Sequence, residues 1–274
     1  MKPVNLYLEL LKRSLTNELN LEYELRCLYL LECINDGKEP DICVSRDIHQ
    51  AWEERYQTLL YNREHALHPC KDNIAHFPHT LIGRQRLNNI EDCLDDIQRD
   101  NIPGDVIEAG VWRGGATIFM RGYLKAHNIT NKNVWVADSF EGLPPSIDSL
   151  DLQYNLSKYH FLSINEETVR HNFKTYDLLD EKVRFLKGYF CDTLPSAEIH
   201  QLSLLRIDAD MFESTIDVLS NLYGKLSVGG YVIIDDYGIF EPCRHAVDMF
   251  RLRHKIKDEI RVVDNSAIYW RKSA

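Results

Sequence analysis

Over the first hundred residues the apolar positions recur at helical spacing, and beyond Gly104 they gather into short runs separated by helical stretches. Leu6, Leu10, Leu11, Leu15 and Leu19 fall near one face, with Lys12 and Arg13 outside, and predict an amphipathic helix. Leu21 to Cys33 reads as a second apolar-rich helix, broken at Gly37-Lys-Glu-Pro40. Ile48 to Leu60 is expected to be helical again and His65 to Pro78 to be loop. Leu87, Ile90, Leu94 and Ile97 share one face of a helix over residues 85–99, which Ile102-Pro-Gly104 ends. The softest boundary lies near residues 78–84. It separates a helical extension over 1–80, expected to supply a cap and dimer contacts, from a main domain over 81–274.

In that main domain Val106–Ala109, Val134–Ala137, Val183–Leu186, Leu204–Ile207 and Tyr231–Ile234 are short apolar runs. Helical patterns over 116–125, 166–176, 212–223 and 242–253 follow four of them or precede the next. Strands alternating with helices define an α/β fold with a parallel sheet. Gly229-Gly230 is read as the turn that introduces the fifth strand. Arg261–Val263 and Ala267–Trp270, split by Asp264-Asn-Ser266, form a terminal hairpin.

Composition narrows the partners. A formal net charge of -10 argues against a general nucleic-acid or anionic-membrane binder, which needs clustered Lys and Arg. No apolar run approaches the roughly 20 residues that span a bilayer, and the first residues lack the apolar core of a signal peptide. The 7 cysteines are odd in number and scattered, with no C-x-x-C pair, so reduced thiols and a cytoplasmic location are expected.

The most informative stretch is Gly104-Asp-Val-Ile-Glu-Ala-Gly-Val-Trp-Arg-Gly-Gly-Ala-Thr-Ile-Phe-Met-Arg121. Strand, glycine turn and helix start form the first unit of a nucleotide-binding sheet. The spacing is not G-x-G-x-x-G: Val111, Trp112 and Arg113 follow Gly110, and Glu108 at the strand end repels a phosphate. A donor without phosphate and with a cationic centre suits this loop, which points to S-adenosylmethionine. An ordinary ligand-free βα turn is the plain alternative.

Acids gather at the strand ends. Glu108, Asp138, Asp208, Asp235 and Asp236 each close a predicted strand, along the edge where open parallel sheets bind ligands. Singly, each is also a common turn or cap residue. Asp138 ends the strand where an acid accepts hydrogen bonds from ribose hydroxyls, in adenosylmethionine or in NAD. Strands four and five are expected side by side, which brings Asp208 to Asp235 and Asp236 as a hard oxygen site suited to magnesium. Asp210 faces the same site as a proton acceptor or caps the following helix. His79, His160, His171, His245 and His254 read as loop, surface or packing residues. A divalent cation lowers the pKa of a coordinated hydroxyl and fixes its oxygen, and a neighbouring hydroxyl can chelate the same ion. A vicinal diol is therefore the natural methyl acceptor.

These residues resemble the macrocin-type (TylF-type) sugar O-methyltransferases of natural-product biosynthesis. The resemblance runs through residues 6–17, His79-Thr-Leu-Ile-Gly-Arg-Gln-Arg-Leu-Asn88, Gly104–Arg121 and Val134-Trp-Val-Ala-Asp-Ser-Phe-Glu-Gly-Leu-Pro144. It continues through residues 186–195, Arg206-Ile-Asp-Ala-Asp-Met-Phe-Glu-Ser-Thr215, Gly229–Tyr237 and Cys243–Asp248. It implies a class I methyltransferase (Rossmann-like) fold: a seven-stranded sheet with the last strand antiparallel and an N-terminal helical extension. It also implies S-adenosylmethionine as donor, Mg2+, a sugar hydroxyl as acceptor, antibiotic biosynthesis as the setting, and a homodimer.

By position, the resemblance assigns Glu108, Gly110, Trp112 and Arg113 to the methionine side of the donor, with Thr80, Leu81 and Ile82 closing it. Asp138 and Ser139 are assigned to the ribose, and Gly188, Cys191 and Asp192 to the adenine side. Asp208, Asp235 and Asp236 become metal ligands, Asp208 also facing the donor, and the general base falls between Asp208 and Asp210. Residues 144–165 resemble a lid. Ala209, Phe212 and Ala109 depart from the family's glycine, tyrosine and threonine, and none of the three removes a metal ligand. A catechol or other aromatic diol is the alternative acceptor. A nicotinamide oxidoreductase and a non-catalytic binding protein are the readings from other classes.

Overall fold

The computed structural model describes residues 2–66, 77–145, 148–154 and 156–273. The chain divides into two units, Met1–Gln85 and Arg86–Ala274.

In the first unit, α1 (Pro3–Leu15) starts with proline in its first turn and ends in Lys12 and Arg13, a charge order that suits the helix dipole. It buries Leu8, Leu11 and Leu15 while Leu6 and Leu10 stay exposed. Lys12, expected outside, is buried, its ammonium 2.6 Å from Glu9. α2 (Leu21–Asn35) packs Leu21, Leu25 and Leu28 against Ile48 and Leu59. The helix expected over 48–60 is broken at Trp52, giving α4 (Ile48–Ala51) after the short α3 (Ile42–Arg46), then α5 (Glu53–His65). Glu24 and Arg63, both buried, pair at 2.6 Å, and Asn17 donates to the second Glu24 oxygen. The loop expected over 65–78 lies mostly outside the described residues.

From Arg86 onward, α6 (Arg84–Arg99) belongs to the second unit, and its Leu87, Ile90, Leu94 and Ile97 are all buried. A seven-stranded sheet follows in the order β3-β2-β1-β4-β5-β7-β6. Its strands are β1 (Asp105–Ala109), β2 (Val134–Asp138), β3 (Val183–Lys187), β4 (Leu202–Ile207), β5 (Leu226–Ile234), β6 (Arg261–Val262) and β7 (Ile268–Arg271). The first five are parallel, and β7 runs antiparallel to both β5 and β6. The fold is thus α/β, a class I methyltransferase sheet as expected. Between the strands lie α7 (Gly115–Ala126), α8 (Ser149–Tyr154), α9 (Glu166–Thr175), α10 (Phe190–Thr193), α11 (Phe212–Leu222) and α12 (Glu241–Arg253).

The central strands are buried on both faces, which is why they read as continuous apolar runs. One expectation is corrected. Gly229-Gly230 is not a turn before the fifth strand but lies inside it, where the pairing with β4 shifts register. Gly229 has φ +86°, so the pair forms an irregularity that a residue with a side chain would strain. The lid expected over 144–165 contains α8 and short 3-10 turns at Leu156–Lys158 and His160–Leu162, with residues 146, 147 and 155 outside the described set.

Candidate active site

Strand order reverses between β1 and β4, and the crevice at that switch point is where open α/β sheets take ligands. The loops there are tied together by backbone bonds that carry the parallel ladder past the strand ends. Gly188 N donates to Asp138 O, Gly110 N to Ala137 O, Asp208 N to Ala109 O and Asp235 N to Ile207 O, all at 2.8–2.9 Å. Gly110, at φ +88°, lies so close to the β4 loop that a Cβ there would sit 1.8 Å from the carbonyl oxygen of Asp208. Only glycine lets these two loops meet.

The turn after Gly110 is held by Asp138, whose Oδ2 accepts from Val111 N and Oδ1 from Phe140 N, each at 2.8 Å. Burial raises the Asp138 pKa against the pull of these backbone donors. Ser139 Oγ donates to Gly142 O at 2.6 Å and so ties the turn beyond β2. Trp112 is half-buried at φ +47°, a strained setting for an aromatic residue, and its Nε1 donates to Phe161 O at 2.9 Å. The Arg113 guanidinium lies 5.6 Å from the Trp112 ring centroid. Gly188 is half-buried and Cys191 and Asp192 are exposed at the start of α10. Thr80, Leu81 and Ile82 belong to the first unit, where Thr80 Oγ1 accepts from Ile82 N at 3.4 Å.

The acids are organised by two arginines that sequence reasoning passed over. Arg206, fully buried on β4, donates through Nη1 to Glu108 at 2.6 Å and Asp208 at 2.9 Å, and through Nη2 to Asp235. Arg86, on α6, takes the other Asp235 oxygen and donates through Nε to Asp264 at 2.7 Å. An arginine inside Leu202-Ser-Leu-Leu-Arg-Ile207 was the available signal, because a buried cation on such a strand requires anionic partners.

Three carboxylates converge beside this network. Asp208, Asp210 and Asp236 each bring an oxygen within 4.8 Å of the others. This cluster includes Asp210 and leaves Asp235, expected among the metal ligands, facing the two guanidiniums. Asp210 stands at φ +54° and its N–H donates to Asp236 at 3.3 Å. Burial first and neighbouring carboxylates second push Asp210 up to about 8 and Asp208 to about 6, and raise Asp236 well above the carboxylate range. Around the β1, β4 and β5 ends, Glu108, Asp208, Asp210, Asp235 and Asp236 face the cations Arg206 and Arg86. An all-oxygen donor set of crowded carboxylates fits a hard divalent cation, and among the described residues no cysteine joins the group.

Sheet order and glycine loop define a class I methyltransferase fold. A profile of the family described as Macrocin-O-methyltransferase (TylF) matches residues 4–272, and the chain belongs to that family. The demethyldecarbamoylnovobiocin O-methyltransferase of Streptomyces niveus is 51% identical over 199 residues, 71% of this chain and 76% of that one. The 8-demethyl-8-(2,3-dimethoxy-alpha-L-rhamnosyl)-tetracenomycin-C 4'-O-methyltransferase of Streptomyces olivaceus is 48% identical over 200 residues, 72% of this chain and 76% of that one. The solved structure of the O-methyltransferase NovP matches with a TM-score of 0.80 at 41% identity, covering 99% of this chain and 100% of that one. The chain is accordingly an S-adenosylmethionine-dependent O-methyltransferase. No helix among its described residues is long and apolar enough to cross a membrane.

Proposed function

We propose that this enzyme methylates a sugar hydroxyl of a natural-product glycoside, one of a vicinal diol, with the help of a divalent cation of the magnesium type. The convergence of Asp208, Asp210 and Asp236 within 4.8 Å carries this reading. The rhamnosyl group in the name of the Streptomyces olivaceus relative supports a sugar over a catechol as acceptor.

Glu108 and the turn from Gly110 to Arg113 would hold the methionine end of the donor, Asp138 and Ser139 the ribose, and Gly188 to Asp192 the adenine side. Asp208 and Asp236, common to the expected trio and the observed cluster, would hold the cation, with Asp235 beside them. When bound, the cation supplies Lewis acidity that lowers the pKa of the acceptor hydroxyl. Asp208 is tied to Arg206, whereas no ion pair to Asp210 is seen among the described residues, so Asp210 is the better placed to take the hydroxyl proton. Alignment of the acceptor oxygen with the donor methyl does the rest. Leu6 and Leu10, exposed on α1, are the apolar surface we assign to a homodimer contact.

The test is transfer of a 13C-labelled methyl from S-adenosylmethionine to rhamnosides, their singly deoxygenated analogues, and catechols. The reading expects the label on a ring oxygen of the intact diol sugars. Methylation of catechols alone would replace it with the aromatic alternative.

A further inference from the structure

Asp151 stands on α8, in the middle of the expected lid, and is fully buried. Its carboxylate accepts from the backbone of another element: Oδ1 from Phe212 N at 2.7 Å and Oδ2 from Glu213 N at 3.2 Å. Those are the first amides of α11, and a helix start leaves such donors without intrahelical partners. Met211 occupies the local cap position and provides no side-chain cap. A carboxylate 61 residues earlier in the chain supplies it, with a charge that suits the positive end of the helix.

The site begins where α11 begins. Asp210 lies two residues before the helix at φ +54°, and Met211 N turns back onto Ala209 O, so the loop has little slack between β4 and α11. The same lid segment is anchored elsewhere. Tyr154 meets Phe240 edge-on, ring centroids 5.6 Å apart, and Phe161 O accepts from Trp112 on the donor loop at 2.9 Å.

Resting on the methyltransferase reading of this site, we propose that Asp151 is a positioning residue for methyl transfer. Seating of α8 caps α11, and the cap sets Asp210 against the acceptor.

Asp151→Ala and Asp151→Asn test it. D151A is expected to lower kcat by roughly tenfold or more, the scale set by small misplacements of a reacting group, while KM for the donor holds. D151N keeps an oxygen for Phe212 N and recovers most of the rate. Amide hydrogen exchange at Phe212 and Glu213 speeds up in D151A, a readout that needs no turnover. Wild-type exchange in D151A overturns the cap. A D151A protein in which kcat, donor binding and melting temperature fall together, without rescue by D151N, overturns the positioning role. Faster exchange in D151A, as expected, alongside a wild type that turns over no glycoside would instead overturn the sugar-acceptor reading on which the kinetic test rests.

Discussion

Glu108 and Arg206 are register partners on adjacent parallel strands, and the buried guanidinium donates to the buried carboxylate at 2.6 Å. Both lie near the C-terminal ends of their strands, where the same guanidinium reaches Asp208 and Asp235. A row of acids at one edge is tolerated because a cation is built into the strand between them. Replacing Arg206 with Met keeps the volume and strands those carboxylates. We expect a loss of about 3–5 kcal/mol in urea-induced unfolding, as for other buried pairs stripped of one partner. An Arg206→Met protein as stable as wild type would mean that the acids do not depend on this pairing.

Gly110 offers a sharper test of the donor loop. Its Cβ would collide with Asp208 O, and its φ of +88° disfavours any side chain. Gly110→Ala must therefore part the β1 and β4 loops. We expect S-adenosylhomocysteine binding in calorimetry to weaken by roughly a hundredfold or more, on the scale of about 3 kcal/mol for a strained or clashing site. Wild-type affinity would show that the two loops need not touch.

Away from the site, Arg121 on α7 clamps Asp180, with Nε 2.9 Å from one carboxylate oxygen. Burial raises the Asp180 pKa, but the bonds from Arg121 and from Lys182 N outweigh it and the net direction is down. A depressed folded-state pKa gives stability that is complete above the unfolded value of about 3.9 and lost as pH falls through the folded value. Asp180→Asn should be less stable than wild type at neutral pH, with the gap closing as the solution is acidified below about pH 4. Thermal melts over that range would contradict the pairing if the gap widened on acidification.

Strand positions and sheet type were legible because doubly buried strands must be apolar throughout, as Leu204–Ile207 and Tyr231–Ile234 are. The acid edge was legible for a related reason, since each acid follows such a run. The pairing pattern was not. Asp235 reads from sequence as one of three equivalent acids, yet its partners Arg206 and Arg86 lie 29 and 149 residues away. The Gly229-Gly230 pair misled because the same glycine freedom serves a turn and an in-strand irregularity. Asp151 was hidden more deeply: nothing in Leu150-Asp-Leu152 announces a cap for a helix that starts at Phe212.

The most direct measurement is methyl transfer from S-adenosylmethionine to a rhamnoside by chelator-treated enzyme, before and after magnesium is restored, with Asp236→Ala alongside. The account predicts little turnover without the cation, recovery on its addition, and no recovery in the variant even though it still binds S-adenosylhomocysteine. Full turnover in the presence of chelator would contradict the metal role assigned to Asp208 and Asp236.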